Sequence, residues 1–527
     1  MFYLAVLAVL ACLILGSAIP WPKEGPLSRR WPIVIAVLVF ATIVAVAFGR
    51  DAPRDFFTFD DSYISLAAAR NVAEHFELAV VRGRLLQGVT SPLHVVIVGL
   101  AGLAVGVEPA ARLVSFAAFL FAIVGAGLYA ERIARDRRAF ALAAGLCVFG
   151  GPMLYDLGNG METSLFTALL IWTFYLADVD DRSRRGFIVR GVVSGAAMLT
   201  RPEGLFLLAA THGAAALRHL YKKDREGLGS FVKSGAIAAA VYAPFLVANL
   251  IVTGHPISGT VSAKAVFFNF DAAQFPDPGD LLKPLTLMFF TARIVGYVAL
   301  AGFVLRRRFA EILFLAAFYL SYLIKFPDAL NHYRARYQHP LWTLVAVAAA
   351  VAIFWAAGRL RERRAWHAAA LGAGALALLP ATAHASQVYR WEYNTDVRDT
   401  VEYLIPMVTA VKGYSRAGES VAAHDVGALT YFSGRDVVDI VGLTDVSVAK
   451  QLAAKAGTRT MTLRRILAER RPRLLVLIRD WEEDWLHLLV RGAPGRFTRI
   501  WSSPPNKGTG AIYDLYRCQW TTSDPAP

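Results

Sequence analysis

The sequence predicts a polytopic α-helical membrane protein that ends in a small α/β domain. Three observations carry this. Apolar runs of about 20 residues, the length that crosses a hydrocarbon core, recur from residue 2 to residue 385. Of the 527 residues 56% are hydrophobic and only 18% are charged, with a mean hydropathy of +0.45. A soluble domain is roughly 45–50% apolar and about 25% charged. From residue 386 the chain becomes mixed polar and apolar and too charged to span.

Each segment follows from charge and pattern. Residues 2–20 read as a retained transmembrane helix, because no Lys or Arg precedes the run and no clear cleavage site follows it. The net charge of +15 sits in short loops between apolar runs, such as Arg132/Arg135/Arg137/Arg138 and Arg306/Arg307/Arg308. That is the positive-inside pattern, and it argues against a nucleic-acid partner. Threading the chain between these basic loops gives about twelve spanning helices and puts both termini outside. Residues 112–130 make one crossing, with 92–107 at the outer leaflet. Residues 1–385 form the membrane domain, with a first outer loop at 50–91, and 386–527 form an extracytoplasmic domain. In the latter, SVAAHDVGAL, DVVDIVGL and RLLVLI read as strands and LRRILAERRP as a helix. The three cysteines offer neither a disulfide framework nor zinc spacing.

The unusual residues fall on outer connectors. In FTFDDSYIS, Asp60 and Asp61 begin a helical pattern. Adjacent residues do not share a helix face, so the two acids take distinct tasks, or simply start the helix at the water interface, with Asp61 as its N-cap. GNGMET carries Glu162 at a helix mouth, where the dipole favours an acid. LTRPEG carries Arg201, a planar donor group suited to phosphate, and Glu203, which either pairs with it structurally or shares a ligand. TGHPISGTVSAK carries His255 and Lys264. HYRARYQHP carries His332, Arg334 and Arg336 with aromatic residues between them, against the sign rule for an outer loop. Snorkelling to headgroups is the plainer explanation for the arginines, but the concentration of basic and aromatic groups on this side makes it less attractive. Two acids facing several cations around an outer cavity suit an enzyme with a lipid phosphate donor. The cations hold the phosphate and a carboxylate deprotonates the incoming hydroxyl. A single displacement of this kind inverts the anomeric centre. A transporter or flippase of lipid-linked sugars is the alternative; it predicts repeats and ionisable sites near the bilayer midplane.

FDDSYIS, GVTSPL, GNGMETSLF, LTRPEG, GHPISGTVSAK, HYRARYQHP and HDVGALTYFSG, in this order, resemble the GT-C superfamily of integral-membrane glycosyltransferases. The branch they most resemble holds the mycobacterial-type terminal arabinofuranosyltransferase. The resemblance implies a polyprenyl-phosphate sugar donor, with arabinofuranose as the candidate sugar. It also implies a glycan, lipid or protein acceptor in the cell envelope, and a site on the outer face of a bacterial inner (plasma) membrane among membrane lipids. An acid of the first outer loop is the base, Asp60 or Asp61; Asp60 is favoured, with Asp61 in support. A divalent cation (Mg, Mn or Ca) is a candidate cofactor, with Asp61 as its ligand. Here two helices precede the acidic motif where such enzymes usually have one.

Overall fold

The computed structural model describes residues 31–53, 55–254, 256, 258–260, 263–264, 300–325, 327–330, 332–360, 362, 364–454, 459–479, 495–507 and 510–520. The run at 2–20 lies outside the described residues, as does most of 253–299.

Helices dominate as far as residue 414. In α1 (Trp31–Phe48), Ile35, Val39, Ile43 and Val46 are exposed along one face, while Val37, Ala41, Val44 and Phe48 are buried. A contiguous apolar face of this kind suits lipid. The next helix, α2 (Asp60–His75), is far more polar and begins at the acid pair. Its N-cap is Phe59, so Asp60 and Asp61 both lie within the first turn and Asp61 is not the cap. Two apolar helices follow, α3 (Pro92–Val105) and α4 (Val107–Ala134). At 1.5 Å per residue their 14 and 28 residues reach about 21 and 42 Å against a core of roughly 30 Å. Of this pair, only α4 has the length to cross.

The bundle continues with α5 (Arg138–Val148), α6 (Gly151–Asp156), α7 (Thr163–Val179), α8 (Arg184–Thr200), α9 (Gly204–Tyr221) and α10 (Arg225–Thr253). It resumes with α11 (Phe309–Lys325), α12 (Trp342–Gly358) and α13 (Arg364–Asp399). Polar pairs pin some of these helices inside the apolar mass. The buried Arg190 of α8 lies 3.9 Å from the Phe231 ring of α10 and donates to Ser230 Oγ at 2.7 Å. Among the described residues, three stretches are long and apolar enough to cross a membrane: Val107–Ala134, Arg225–Thr253 and His332–Gly358. Five further apolar helices are shorter. The twelve or so crossings expected from loop charge include runs outside the described residues, such as 2–20. The compositional change near residue 386 falls inside α13, so the boundary drawn there divides a continuous helix.

After α14 (Ile405–Tyr414) comes a five-stranded sheet of order β2-β1-β3-β5-β4. Its strands are β1 (Ser420–Ala423), β2 (Asp436–Asp439), β3 (Leu474–Ile478), β4 (Arg496–Ser502) and β5 (Tyr513–Gln519). β1 pairs in parallel with β2 and β3, and β5 is antiparallel to β3 and β4. The helices of this region are α15 (Gly427–Phe432), α16 (Val446–Ala454) and α17 (Arg459–Arg470). The expected strand SVAAHDVGAL is a strand only through Ala423. Beyond His424 and Asp425 the chain turns into α15, because Asp60 receives the first N–H groups of that helix. One buried apolar cluster joins Tyr63, Leu66 and Val95 of α2 and α3 to Met407, Val421 and Leu429. The sheet region therefore shares a core with the acidic helix and fixes its position.

Candidate active site

The two aspartates point in different directions. Both oxygens of Asp60 accept backbone N–H bonds, from Gly427 and from Ala428, at 2.8 Å each. Asp60 is buried, and burial followed by the nearby Asp425 carboxylate raises its pKa well above the ordinary value; the two N–H groups oppose this. Each of its oxygens is engaged by the first turn of α15, and it does not line the cavity described next. Asp61, one residue on and so about 100° around the helix, faces that cavity. Its Oδ2 accepts from Arg336 Nη2 at 2.5 Å and from Lys264 Nζ at 3.3 Å. Burial alone would raise the Asp61 carboxyl, but Lys264 and then Arg336 outweigh it and hold it well below the usual range. Of the two acids, Asp61 lines the cavity and Asp60, the one favoured as base from the sequence, does not.

The cavity measures about 540 Å³. Its lining holds the charged residues Asp61, Glu162, Arg201, Glu203, Lys264 and Arg336 with Tyr322 and Tyr337, together with apolar residues that include Ile64, Val89, Val95, Leu205, Phe206 and Leu443. Arg201 donates to Glu203 Oε1 at 2.6 Å and lies 3.6 Å from Glu162, and Tyr322 donates to the same Glu203 oxygen at 2.6 Å. The structural pairing considered for LTRPEG therefore exists, and it forms part of the cavity wall. Leu443 comes from the sheet region. Its carbonyl accepts from Thr260 Oγ1 at 2.7 Å, and its loop is organised by Asp439, which accepts N–H bonds from Val441, Gly442 and Thr444.

Backbone geometry separates the arginines of HYRARYQHP. Tyr333, Arg334 and Ala335 have φ of 45°, 60° and 59°. Three successive non-glycine residues in this region cost about 1–3 kcal/mol each, so the surroundings must hold them. Tyr333 stacks on Phe59 at 4.2 Å, and His339 Nε2 bonds the Arg334 carbonyl at 3.0 Å. The turn sends Arg334 to Asp396 of α13 at 2.8 Å and Arg336 to Asp61. Arg334 is therefore an anchor, and it does not line the cavity. His332 packs on Tyr333 at 3.9 Å and likewise does not line it. His255 lies outside the described residues.

GNGMET is held from behind. Asn159 donates to Asp156 at 2.7 Å and accepts from Met161 N at 2.8 Å, while His339 bonds Asp156 at 2.9 Å. Gly160 has φ of 69°, and a Cβ there would lie 2.5 Å from the Phe57 ring. The turn presents Met161, whose sulfur receives Arg336 Nη1 at 2.8 Å, and Glu162 to the cavity. Sequence reasoning missed Tyr322 altogether and saw Tyr337 only as one of the aromatic residues between the arginines. Thr260 and Leu443 lie in the quoted segments TGHPISGTVSAK and DVVDIVGL, but the sequence did not show that these two distant segments meet.

These features sit in a fold found elsewhere. The oligosaccharyltransferase of Archaeoglobus fulgidus, solved with zinc and sulfate, matches with a TM-score of 0.56 at 14% identity, over 87% of this chain and 69% of that one. ArnT from Cupriavidus metallidurans, solved with undecaprenyl phosphate bound, matches with a TM-score of 0.57 at 12% identity, over 92% and 98%. The chain shares its fold with these two structures. Residues 387–516 match a domain of unknown function, DUF8728. No curated protein matches the sequence.

Among the described residues no group of three or more His, Cys, Asp or Glu side chains gathers. Asp61, the carboxylate expected to bind a divalent cation, faces an ammonium and a guanidinium.

Proposed function

We propose that the protein is an inverting glycosyltransferase that takes a sugar from a polyprenyl-phosphate donor. The observation that carries this reading is a cavity that combines apolar lining with Asp61 clipped to Lys264 and Arg336. A lipid phosphate likewise combines an apolar chain with a charged head. Formally the three acids of the lining, Asp61, Glu162 and Glu203, balance its three cations, Arg201, Lys264 and Arg336, so a glycosyl phosphodiester would share Lys264 and Arg336 with Asp61. The neighbour solved with undecaprenyl phosphate supports a lipid-phosphate ligand in this fold.

Asp61 is the base. The acceptor hydroxyl gives its proton to this carboxylate as its oxygen attacks the anomeric carbon from the face opposite the phosphate. With both cations bearing on it, Asp61 is a weak base. A bound phosphate shares Lys264 and Arg336, so their hold on Asp61 loosens and its basicity rises when the donor is in place. Asp60 positions α2 through α15. Arabinofuranose remains the candidate sugar and a cell-envelope glycan, lipid or protein the candidate acceptor, with chemistry on the outer face of a bacterial inner membrane. The test is transfer of labelled sugar from a polyprenyl-phosphate donor in membranes containing the protein. Label should move to an acceptor in these membranes and stay on the lipid in membranes lacking the protein.

A further inference from the structure

Two tyrosines face the cavity, and their hydroxyls are used differently. Tyr322 donates its proton to Glu203 at 2.6 Å. The Tyr337 oxygen instead accepts twice, from Lys264 Nζ at 3.2 Å and from Arg336 Nη2 at 3.3 Å. A phenol carries one proton besides its accepting lone pairs. Two cations occupy the accepting side, and among the described residues no hydrogen bond from the Tyr337 proton is made. Arg201 adds a third cation, 5.2 Å from the ring centroid, and the Tyr322 ring packs at 5.3 Å. The phenol is thus held in place on the cavity wall beside the two groups that would hold a phosphate.

From this geometry we propose that Tyr337 is a catalytic residue that donates a hydrogen bond to the leaving phosphate oxygen. The inference rests on the reading above and adds a group that it does not use. In the transfer step the acceptor oxygen bonds to the anomeric carbon and its proton passes to Asp61. The anomeric carbon–oxygen bond to phosphate breaks, and its electron pair stays on the phosphate oxygen. Tyr337 keeps its proton throughout, so no further reactant is needed. Lys264 and Arg336 draw electron density from the phenol oxygen and so polarise its O–H toward the phosphate. The bond strengthens as charge builds on the departing oxygen, which is the condition for an interaction to raise the rate.

The test uses the full chain in lipid nanodiscs with two probes, farnesyl phosphate and farnesol. Tyr337→Phe keeps the ring and removes the proton. It is expected to weaken farnesyl phosphate binding about tenfold or more, the size of one hydrogen bond to a charged group, and to change farnesol binding by less than about twofold. Equal affinity of wild type and variant for farnesyl phosphate would overturn the proposal. So would a parallel loss for both probes, which would report a collapsed cavity. If the wild type shows no preference for farnesyl phosphate over farnesol, the lipid-phosphate reading fails, and this inference fails with it.

Discussion

At the scale of single residues, the account turns on two adjacent carboxylates with opposite electrostatics. Asp61 is held below the usual carboxylate range by Lys264 and Arg336, which outweigh its burial. Its folded pKa is lower than its unfolded one. Its contribution to stability is therefore present above about pH 3.9 and is lost as pH falls through the folded value. Because kcat/KM reports the free enzyme, its acid side should stay flat down to about pH 4. The acid limb of kcat should lie at higher pH, since the bound phosphate competes for the same cations. A kcat/KM profile that falls with an apparent pKa near 6 would contradict the pairing. The sequence made this pair conspicuous, and the rule that neighbours leave a helix in different directions made two roles legible. It could not say which acid faced which way. That depends on Gly427 and Ala428, more than 360 residues away.

At the scale of elements, two devices position the site: the left-handed turn at 333–335 and the contact of α15 with α2. Gly427 is required for the second. A Cβ there would lie 2.0 Å from the Asp60 carbonyl oxygen, which is backbone and cannot swing aside. Gly427→Ala should therefore cost about 1–3 kcal/mol and separate α15 from α2. Thermal unfolding and limited proteolysis of 386–527 would check this; an unchanged midpoint and cleavage pattern would contradict it. The motifs were legible here as strings, but their geometry was not. HYRARYQHP reads as a run of basic and aromatic residues that might all face one ligand. The positive φ angles divide it, leaving Arg336 at the cavity and Arg334 on Asp396. Strand and helix patterns in the last 140 or so residues read well where alternation was strong, as in RLLVLI. They failed at VGALTYF, where a tertiary partner starts a helix.

At the scale of the whole molecule, the sheet region is part of the cavity, since it supplies Leu443 and holds Asp60. The apolar runs made a multi-pass membrane protein legible from composition alone. Helix ends were less so, since the change of composition near residue 386 falls inside α13. The proposed orientation has a direct check. Lys507, 77% exposed in the sheet region, and the exposed Lys222 after α9 lie on opposite sides in this account. A membrane-impermeant maleimide should label Lys507→Cys in intact cells and Lys222→Cys only after lysis; the reverse pattern would contradict it. The central claim is that Asp61 is the base in transfer from a lipid phosphate, while Asp60 holds the fold. The measurement that tests it most directly is sugar transfer from a polyprenyl-phosphate donor by Asp61→Asn and Asp60→Asn proteins of verified fold. The account predicts that Asp61→Asn lowers transfer by a factor of about 10²–10⁴, the usual worth of a general base, while binding farnesyl phosphate more tightly because Lys264 and Arg336 lose their counter-charge. Folded Asp60→Asn should retain most of its activity. Undiminished transfer by Asp61→Asn, or its loss only in Asp60→Asn, would contradict the account.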